Sequence, residues 1–150
     1  RLAAQREEFE GVTMKPKFYH FVEHGDSRGK LAVVEPGKDI EFPIRRVYYI
    51  YGADSNQRRG FHAHKRLEQV LLCVHGSCKV MLDDGSSRCD VTLDSPTLGL
   101  YVGNAMWREM YDFTPDAVLL VLASEPYTEA DYIRNYDEFL KYVKRGGRPE

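Results

Sequence analysis

The stretch Arg59-Gly60-Phe61-His62-Ala63-His64-Lys65 places two imidazoles one residue apart. On a β-strand the side-chain period is two, so His62 and His64 point the same way and Ala63 points the other. Where that face lines a closed interior, both rings converge on one cavity. Histidine's ordinary pKa, about 6.5, lies near neutral pH and suits proton transfer in both directions. One ring can take a proton from carbon while the other manages protons on oxygen. The spacing alone does not assign the two roles. Arg59 and Lys65 beside them favour the neutral, basic imidazole by like-charge repulsion.

In cupin barrels such a pair often begins a metal site, completed by a glutamate a few residues on and a third histidine on a later strand. Glu68 stands at the first of these positions. The later segment, Gly99 to Met110, has Arg108 where the third histidine would fall. A guanidinium stays cationic and does not ligate a divalent metal. The sequence therefore predicts no metal and no cofactor. Arg108 is instead expected to attract an anion or to stabilise negative charge developing on a substrate oxygen.

Other residues that suit a polar ligand surround this pair. Val47-Tyr48-Tyr49-Ile50-Tyr51 alternates on a strand, so Tyr48 and Tyr49 face opposite sides and one side is interior. Tyr101 and Trp107 are open to the same two readings, packing or ligand contact. Arg45, Arg46, Arg58, Arg59 and Lys65 bracket the tyrosine and histidine strands, and arginine forks suit diphosphates. Solvated surface is an equal reading for Arg45 and Arg58. Arg28, in the turn Asp26-Ser27-Arg28-Gly29, is either structural or reaches the cavity rim.

The elements that must position these groups are short strands. From Lys17 onward, runs rich in Val, Ile, Tyr and Leu recur between turn residues. They predict strands at 18–22, 31–35, 46–51, 59–64, 68–75, 77–83, 87–93, 97–102, 106–112 and 117–124. Asp83-Asp84-Gly85-Ser86 reads as a tight hairpin, because Asp-Gly accepts the positive φ of primed turns. So many short strands at close spacing indicate an all-β sandwich or barrel. The run Val70-Leu71-Leu72-Cys73-Val74 is apolar on both faces, as is Ala117 to Ala123. One face fills the barrel; the other needs cover from a second sheet or a second subunit, which suggests a homodimer. A C-terminal helix is expected after Thr128, with Thr128 as cap and Asp131 in a capping-box role. Tyr132, Ile133, Tyr136, Phe139, Leu140 and Val143 form its apolar stripe, and Gly146-Gly147 stops it.

A chain of 150 residues, 43% of them hydrophobic, can close one sizeable core. Residues 1–14 read as an appendage, with a helix-prone stretch at 2–10 broken by Gly11-Val12-Thr13, and 15–150 as the domain. No apolar run approaches the roughly 18 residues that span a bilayer. A net charge of −2 gives no general attraction to nucleic acid. Three cysteines, no CxxC spacing and no visible signal peptide point to reduced thiols in the cytoplasm.

Several of these strings together resemble the dTDP-4-keto-6-deoxyglucose 3,4-ketoisomerases. They are Arg46-Val47-Tyr48-Tyr49-Ile50, the His62/His64 strand, Leu67-Glu68-Gln69-Val70, Leu82-Asp83-Asp84-Gly85, Leu93-Asp94-Ser95-Pro96, Gly99-Leu100-Tyr101-Val102-Gly103 and Asp131-Tyr132-Ile133-Arg134. The match runs from about Lys17 to Val143. It implies a cupin, or jelly-roll, barrel with a C-terminal helix, forming a homodimer with exchanged N-terminal strands and holding no metal. It implies a dTDP-linked 4-keto-6-deoxy sugar as substrate, a 3-keto product, and a pathway that feeds amino sugars into surface polysaccharide. His62 and His64 become the catalytic pair, with His62 the carbon base. Arg59 becomes a substrate contact, Tyr48 a cavity residue, and Arg28 and Arg108 residues at the sugar end. Three other readings stand beside this one: a dTDP-sugar 3,5-epimerase, a metal-dependent cupin, and a non-catalytic sugar-binding cupin.

Overall fold

The computed structural model describes residues 14–146. The expectations for 2–10, for Gly11-Val12-Thr13 and for Gly147 lie outside the described residues. Among the described residues, twelve strands and one α-helix follow in order. The strands are β1 (Lys17–His20), β2 (Glu23–Asp26), β3 (Gly29–Ala32), β4 (Arg46–Tyr51), β5 (Arg59–His64) and β6 (Gln69–His75). Then come β7 (Cys78–Asp83), β8 (Arg88–Leu93), β9 (Leu98–Val102), β10 (Trp107–Tyr111), β11 (Val118–Ala123) and β12 (Tyr132–Ile133). The helix, α1, spans Tyr136–Lys144. β4 and β5 have the bounds that alternation predicts; the other expected strands are displaced by a few residues at their ends. Two strands, β2 and β12, are additional.

Two antiparallel five-stranded sheets face each other, in the order β1-β9-β6-β11-β4 and β12-β5-β10-β7-β8; β2 and β3 form a separate hairpin. Inward-facing residues of both sheets meet in one core that includes Leu71, Cys73, Val80, Leu82, Leu100, Met110, Leu119 and Val121. Met14 is buried in that core as well. This is the all-β double-sheet barrel, closed by a C-terminal helix, that the strand pattern predicts.

The outer faces are covered from within the chain. Val70, Leu72 and Leu122 pack under Phe21, Ile40 and Phe42. The double-sided apolarity of β6 and β11 is thus satisfied by the chain's own 33–44 segment and does not by itself demand a second subunit. On the other sheet, Ala63, Met81 and Trp107 pack against Ile133 and Phe139. Trp107 is 3% exposed and its ring meets Tyr136 and Phe139, so its role is packing.

The C-terminal region differs from the expectation. Thr128 heads only a short 3-10 turn, Glu129–Asp131, and makes no capping bond. Tyr132 and Ile133 then pair with His64 and Ala63 as β12. The helix starts later, where the Asn135 side chain accepts from the Glu138 N–H. Asn135 and Glu138 stand three apart, so the true N-terminal signal was present in the sequence. The apolar stripe merely ran on upstream of it and drew Tyr132 and Ile133 into the helix.

All eight strand residues of the β2–β3 hairpin are exposed. Among the described residues, no helix is long and apolar enough to cross a membrane.

Candidate active site

The strand that carries the histidines is not regular. Gly60 has φ 95° and Phe61 has φ 57°. The pairing of β5 with β10 slips here, with His62 opposite Arg108 but Gly60 opposite Glu109. The extra residue is Phe61, the bulged position of the ladder. A side chain on Gly60 would stand 2.9 Å from the Arg108 carbonyl oxygen, which excludes any other residue without a shift. Beyond the bulge the alternation is regular. Ala63 is fully buried under the helix, while the His62 and His64 rings sit together, centroids 5.0 Å apart and nearly perpendicular.

His62 lines a cavity of about 420 Å³ together with Arg46, Tyr48, Tyr49, Arg59, Tyr132 and Arg134, among others. His64 lies behind it, only 1% exposed. Two ring nitrogens, His62 Nδ1 and His64 Nε2, are buried without a hydrogen-bond partner among the described residues. Buried polar atoms are normally paired, so unpaired ones at a cavity mark where a ligand's polar groups belong. The second nitrogen of His64, Nδ1, is 3.0 Å from the Asp131 carboxylate. That carboxylate also accepts the backbone N–H groups of Arg66 and Leu67. Tyr132 packs against both imidazoles, 5.1 Å from His62 and 4.3 Å from His64.

Arg108 is the charged centre behind this pair. It is 2% exposed, donates from Nη1 to Gln69 Oε1, and donates from Nε and Nη2 to the Met106 carbonyl. Gln69 in turn donates to Tyr48 Oη at 2.9 Å. Burial pulls the guanidinium down to about 10, still cationic at neutral pH. Burial and then the Arg108 charge push His62 down to about 4, and the same two causes, in the same order, lower His64. Both rings are therefore neutral at neutral pH, and each keeps one basic nitrogen. Burial also raises the Tyr48 hydroxyl, against the pull of Arg108, so it stays protonated.

The cavity wall is rich in guanidinium groups. Arg46 lies over the Tyr48 and Tyr127 rings, and its Nε is buried and unpartnered. Arg134 stacks 4.1 Å over the Tyr132 ring while its Nε and Nη2 donate to Glu129. Arg59 also lines the wall. Such a wall suits a diphosphate.

Other predicted residues stand elsewhere. Lys65 lines a separate cavity of about 380 Å³ under α1, with Tyr132, Glu138, Lys141 and Arg145. Tyr101 packs on the outer face of its sheet with Tyr19 and Phe42, and donates to Glu68 at 2.6 Å. Glu68 is thereby engaged away from the histidines. Among the described residues, no three His, Cys, Asp or Glu are grouped to hold a metal. Arg28 is at the tip of the exposed hairpin, paired with Asp26 at 2.6 Å. Arg58 pairs with Glu109, and Arg45 with Glu125. Four residues of the site were not singled out from sequence: Gln69, Asp131, Tyr132 and Arg134. All four fall inside strings that carried the family resemblance, which was the available signal.

The chain as a whole is similar to known proteins. The family described as FdtA, WxcM-like, C-terminal, matches residues 14–144. A TDP-4-oxo-6-deoxy-α-D-glucose-3,4-oxoisomerase of Aneurinibacillus thermoaerophilus is 54% identical over 132 residues, covering 88% of this chain and 95% of the relative. A 3,4-ketoisomerase crystal structure from Helicobacter canadensis superposes with TM-score 0.84 at 48% identity, covering 87% of this chain and 98% of that one. The sugar 3,4-ketoisomerase QdtA of Thermoanaerobacterium thermosaccharolyticum, solved with TDP, superposes with TM-score 0.86 at 45% identity, covering 89% and 98%.

Proposed function

Because this chain belongs to the FdtA, WxcM-like C-terminal family, we propose that it converts dTDP-4-keto-6-deoxyglucose to a dTDP-3-keto-6-deoxyhexose. It is an isomerase. The observation that carries this reading is the pair of neutral imidazoles, each with one unpartnered buried nitrogen, behind an arginine-lined cavity. Sugar-nucleotide epimerases are also among the structural neighbours, but at 22% and 15% identity they share the fold alone.

The chemistry asks for two proton transfers of different kinds. The C3–H bond breaks and its electron pair forms the C3=C4 bond, while the C4 carbonyl oxygen takes the displaced pair. The resulting enediolate passes its O3 proton to O4, the electron pair left on O3 closes the C3=O bond, and C4 regains a proton. Nothing is oxidised or reduced overall, so the residues need only move protons and hold charge. His62, on the cavity wall, is assigned the carbon proton, and His64 the oxygen-borne one. The Arg108 charge behind both favours the anionic intermediate. Arg46 and Arg59 are assigned to the diphosphate, with Tyr48 against the sugar. Lys65 and Tyr101 have no assigned contact within one copy of the chain, since they face other surfaces.

The exposed β2–β3 hairpin supports a homodimer that exchanges its N-terminal strands, which is the assembly proposed here. Val22, Leu31 and Val33 lie exposed on or beside that hairpin, and Val47, Tyr49 and Tyr51 form an exposed row on the edge strand β4. Exchange would carry Arg28 to the partner. The proposed setting is deoxyamino-sugar synthesis for surface polysaccharide, in the cytoplasm.

The test is incubation with dTDP-4-keto-6-deoxyglucose in deuterated water, followed by NMR. A 3-keto product carrying deuterium at C4 is expected, diluted by internal return of the C3 proton. His62→Asn should lose about 10²–10⁴-fold in turnover while still binding dTDP. Deuterium at C5 without ketone migration would mean an epimerase, and undiminished turnover in His62→Asn would remove the histidine from the mechanism.

A further inference from the structure

The proton transfers above leave one group unused: the Asp131 carboxylate, 13% exposed and pointed at the back of His64. Its Oδ1 accepts the Arg66 backbone N–H at 2.8 Å, and its Oδ2 accepts the Leu67 N–H at 3.3 Å. The third neighbour, His64 Nδ1, lies 3.0 Å from Oδ2. A carboxylate held by two backbone donors is an acceptor, so the atom facing it must also carry a hydrogen. His64 is neutral and has a single ring proton to place. That proton is on Nδ1, and Nε2 is left as a bare lone pair, buried and without a partner.

We propose that Asp131 is the positioning residue of the reaction: it locks His64 in the Nδ1–H tautomer and makes Nε2 the acceptor for the substrate's oxygen-borne proton. This rests on the ketoisomerase reading. In the step itself the O3–H bond breaks and an Nε2–H bond forms, giving an imidazolium. The proton then passes from Nε2 to O4 and the ring returns to neutral. The positive ring that forms in between is buried beside Arg108 and would be costly there. Asp131 offsets that cost through the Nδ1–H bond, and only while the proton is in transit. The aspartate therefore acts on turnover and not on binding. Its backbone contacts also tie the carboxylate to the segment that follows β5, so ring orientation and tautomer are set by one group.

The experiment pairs NMR of the wild-type protein with kinetics of Asp131→Asn. In the variant the amide oxygen can keep the Arg66 contact while the NH₂ group donates to His64 Nδ1, which moves the ring proton to Nε2. With ¹⁵N-histidine label and His64→Asn to assign the resonances, wild-type Nδ1 should be protonated and Nε2 bare. The variant should show the opposite pattern. Its kcat should fall about 10²–10⁴-fold, with KM within about threefold and the fold intact by circular dichroism. A protonated Nε2 in the wild type overturns the proposal whatever the variant does. So does a variant whose kcat stays within about threefold. The NMR result does not depend on turnover, so a failure of the ketoisomerase reading, seen as no 3-keto product from wild type, is separable from a failure of the tautomer assignment.

Discussion

At the residue scale, the proposed chemistry turns on burial and on one buried cation. Burial comes first, and Arg108, opposite His62 on the neighbouring strand, adds to it; together they lower the proton affinity of both imidazoles. A base that ordinarily titrates near 6.5 is held near 4, so it is unprotonated across the physiological range. The cost is a weaker base, and under the proposed mechanism the matching gain is a fixed positive field for the enediolate. Two consequences can be measured. The acid limb of kcat/KM should lie near pH 4 to 5, not near 6.5; a limb at 6.5 would mean that neither burial nor Arg108 depresses the base. Stability follows with a definite sign. The unfolded chain binds a proton at His62 below about pH 6.5 and the folded chain only below about 4, so stability is full above 6.5 and declines as pH falls through that window. His64 adds to the decline in the same direction. His62→Asn should flatten part of the Tm-against-pH curve between pH 6.5 and 4.

At the element scale, the bulge in β5 decides where the histidines point. Without Phe61 as the extra residue, a one-residue slip would send both rings to the opposite face of the sheet. Gly60 permits the bulge by taking φ 95° where its neighbours leave no room for a side chain. Gly60→Ala should therefore destabilise the protein by about 1–3 kcal/mol in denaturant titration. It should also lower turnover beyond what the loss of folded protein explains. Gly37→Ala is the control: its φ is also positive, at 81°, but nothing lies within 4 Å of the added carbon. It should cost stability and spare kcat. Equal effects on turnover would show that the bulge has no part in catalysis. β12 matters at the same scale, because its pairing with β5 brings Asp131 and Tyr132 to His64.

At the scale of the whole molecule, one copy of the chain buries its sheets well but leaves the β2–β3 hairpin and the β4 edge uncovered. An exposed edge with an apolar outer row is a pairing hazard unless another chain covers it. The proposed strand-exchanged dimer meets that need. Light scattering after size exclusion should give twice the mass of one chain. Leu31→Asp combined with Val33→Asp should shift it to monomer, since each places a charge on an exposed apolar position of the hairpin region. A wild-type protein that stays monomeric at micromolar concentration would end the dimer proposal, and with it the delivery of Arg28 to a partner's cavity.

Much of this was legible in the chain before any coordinates. Alternation and turn chemistry are local, so β4, β5 and most other strands followed from residue order, as did the barrel and the shared face of His62 and His64. What the tertiary structure alone decided is which distant groups meet. Spacing could not tell His62 from His64; folding put one on the cavity wall and the other behind it, against Asp131. Asp131 read as the capping-box partner of Thr128 because short-range periodicity extends the helix upstream, whereas the fold sets it against His64, 67 residues away along the chain. Glu68 and Tyr101 looked like site residues by type and proved to be each other's partners on the outer face. Residue type and period are written locally; convergence is set by long-range pairing, and the chemistry of this site depends on both.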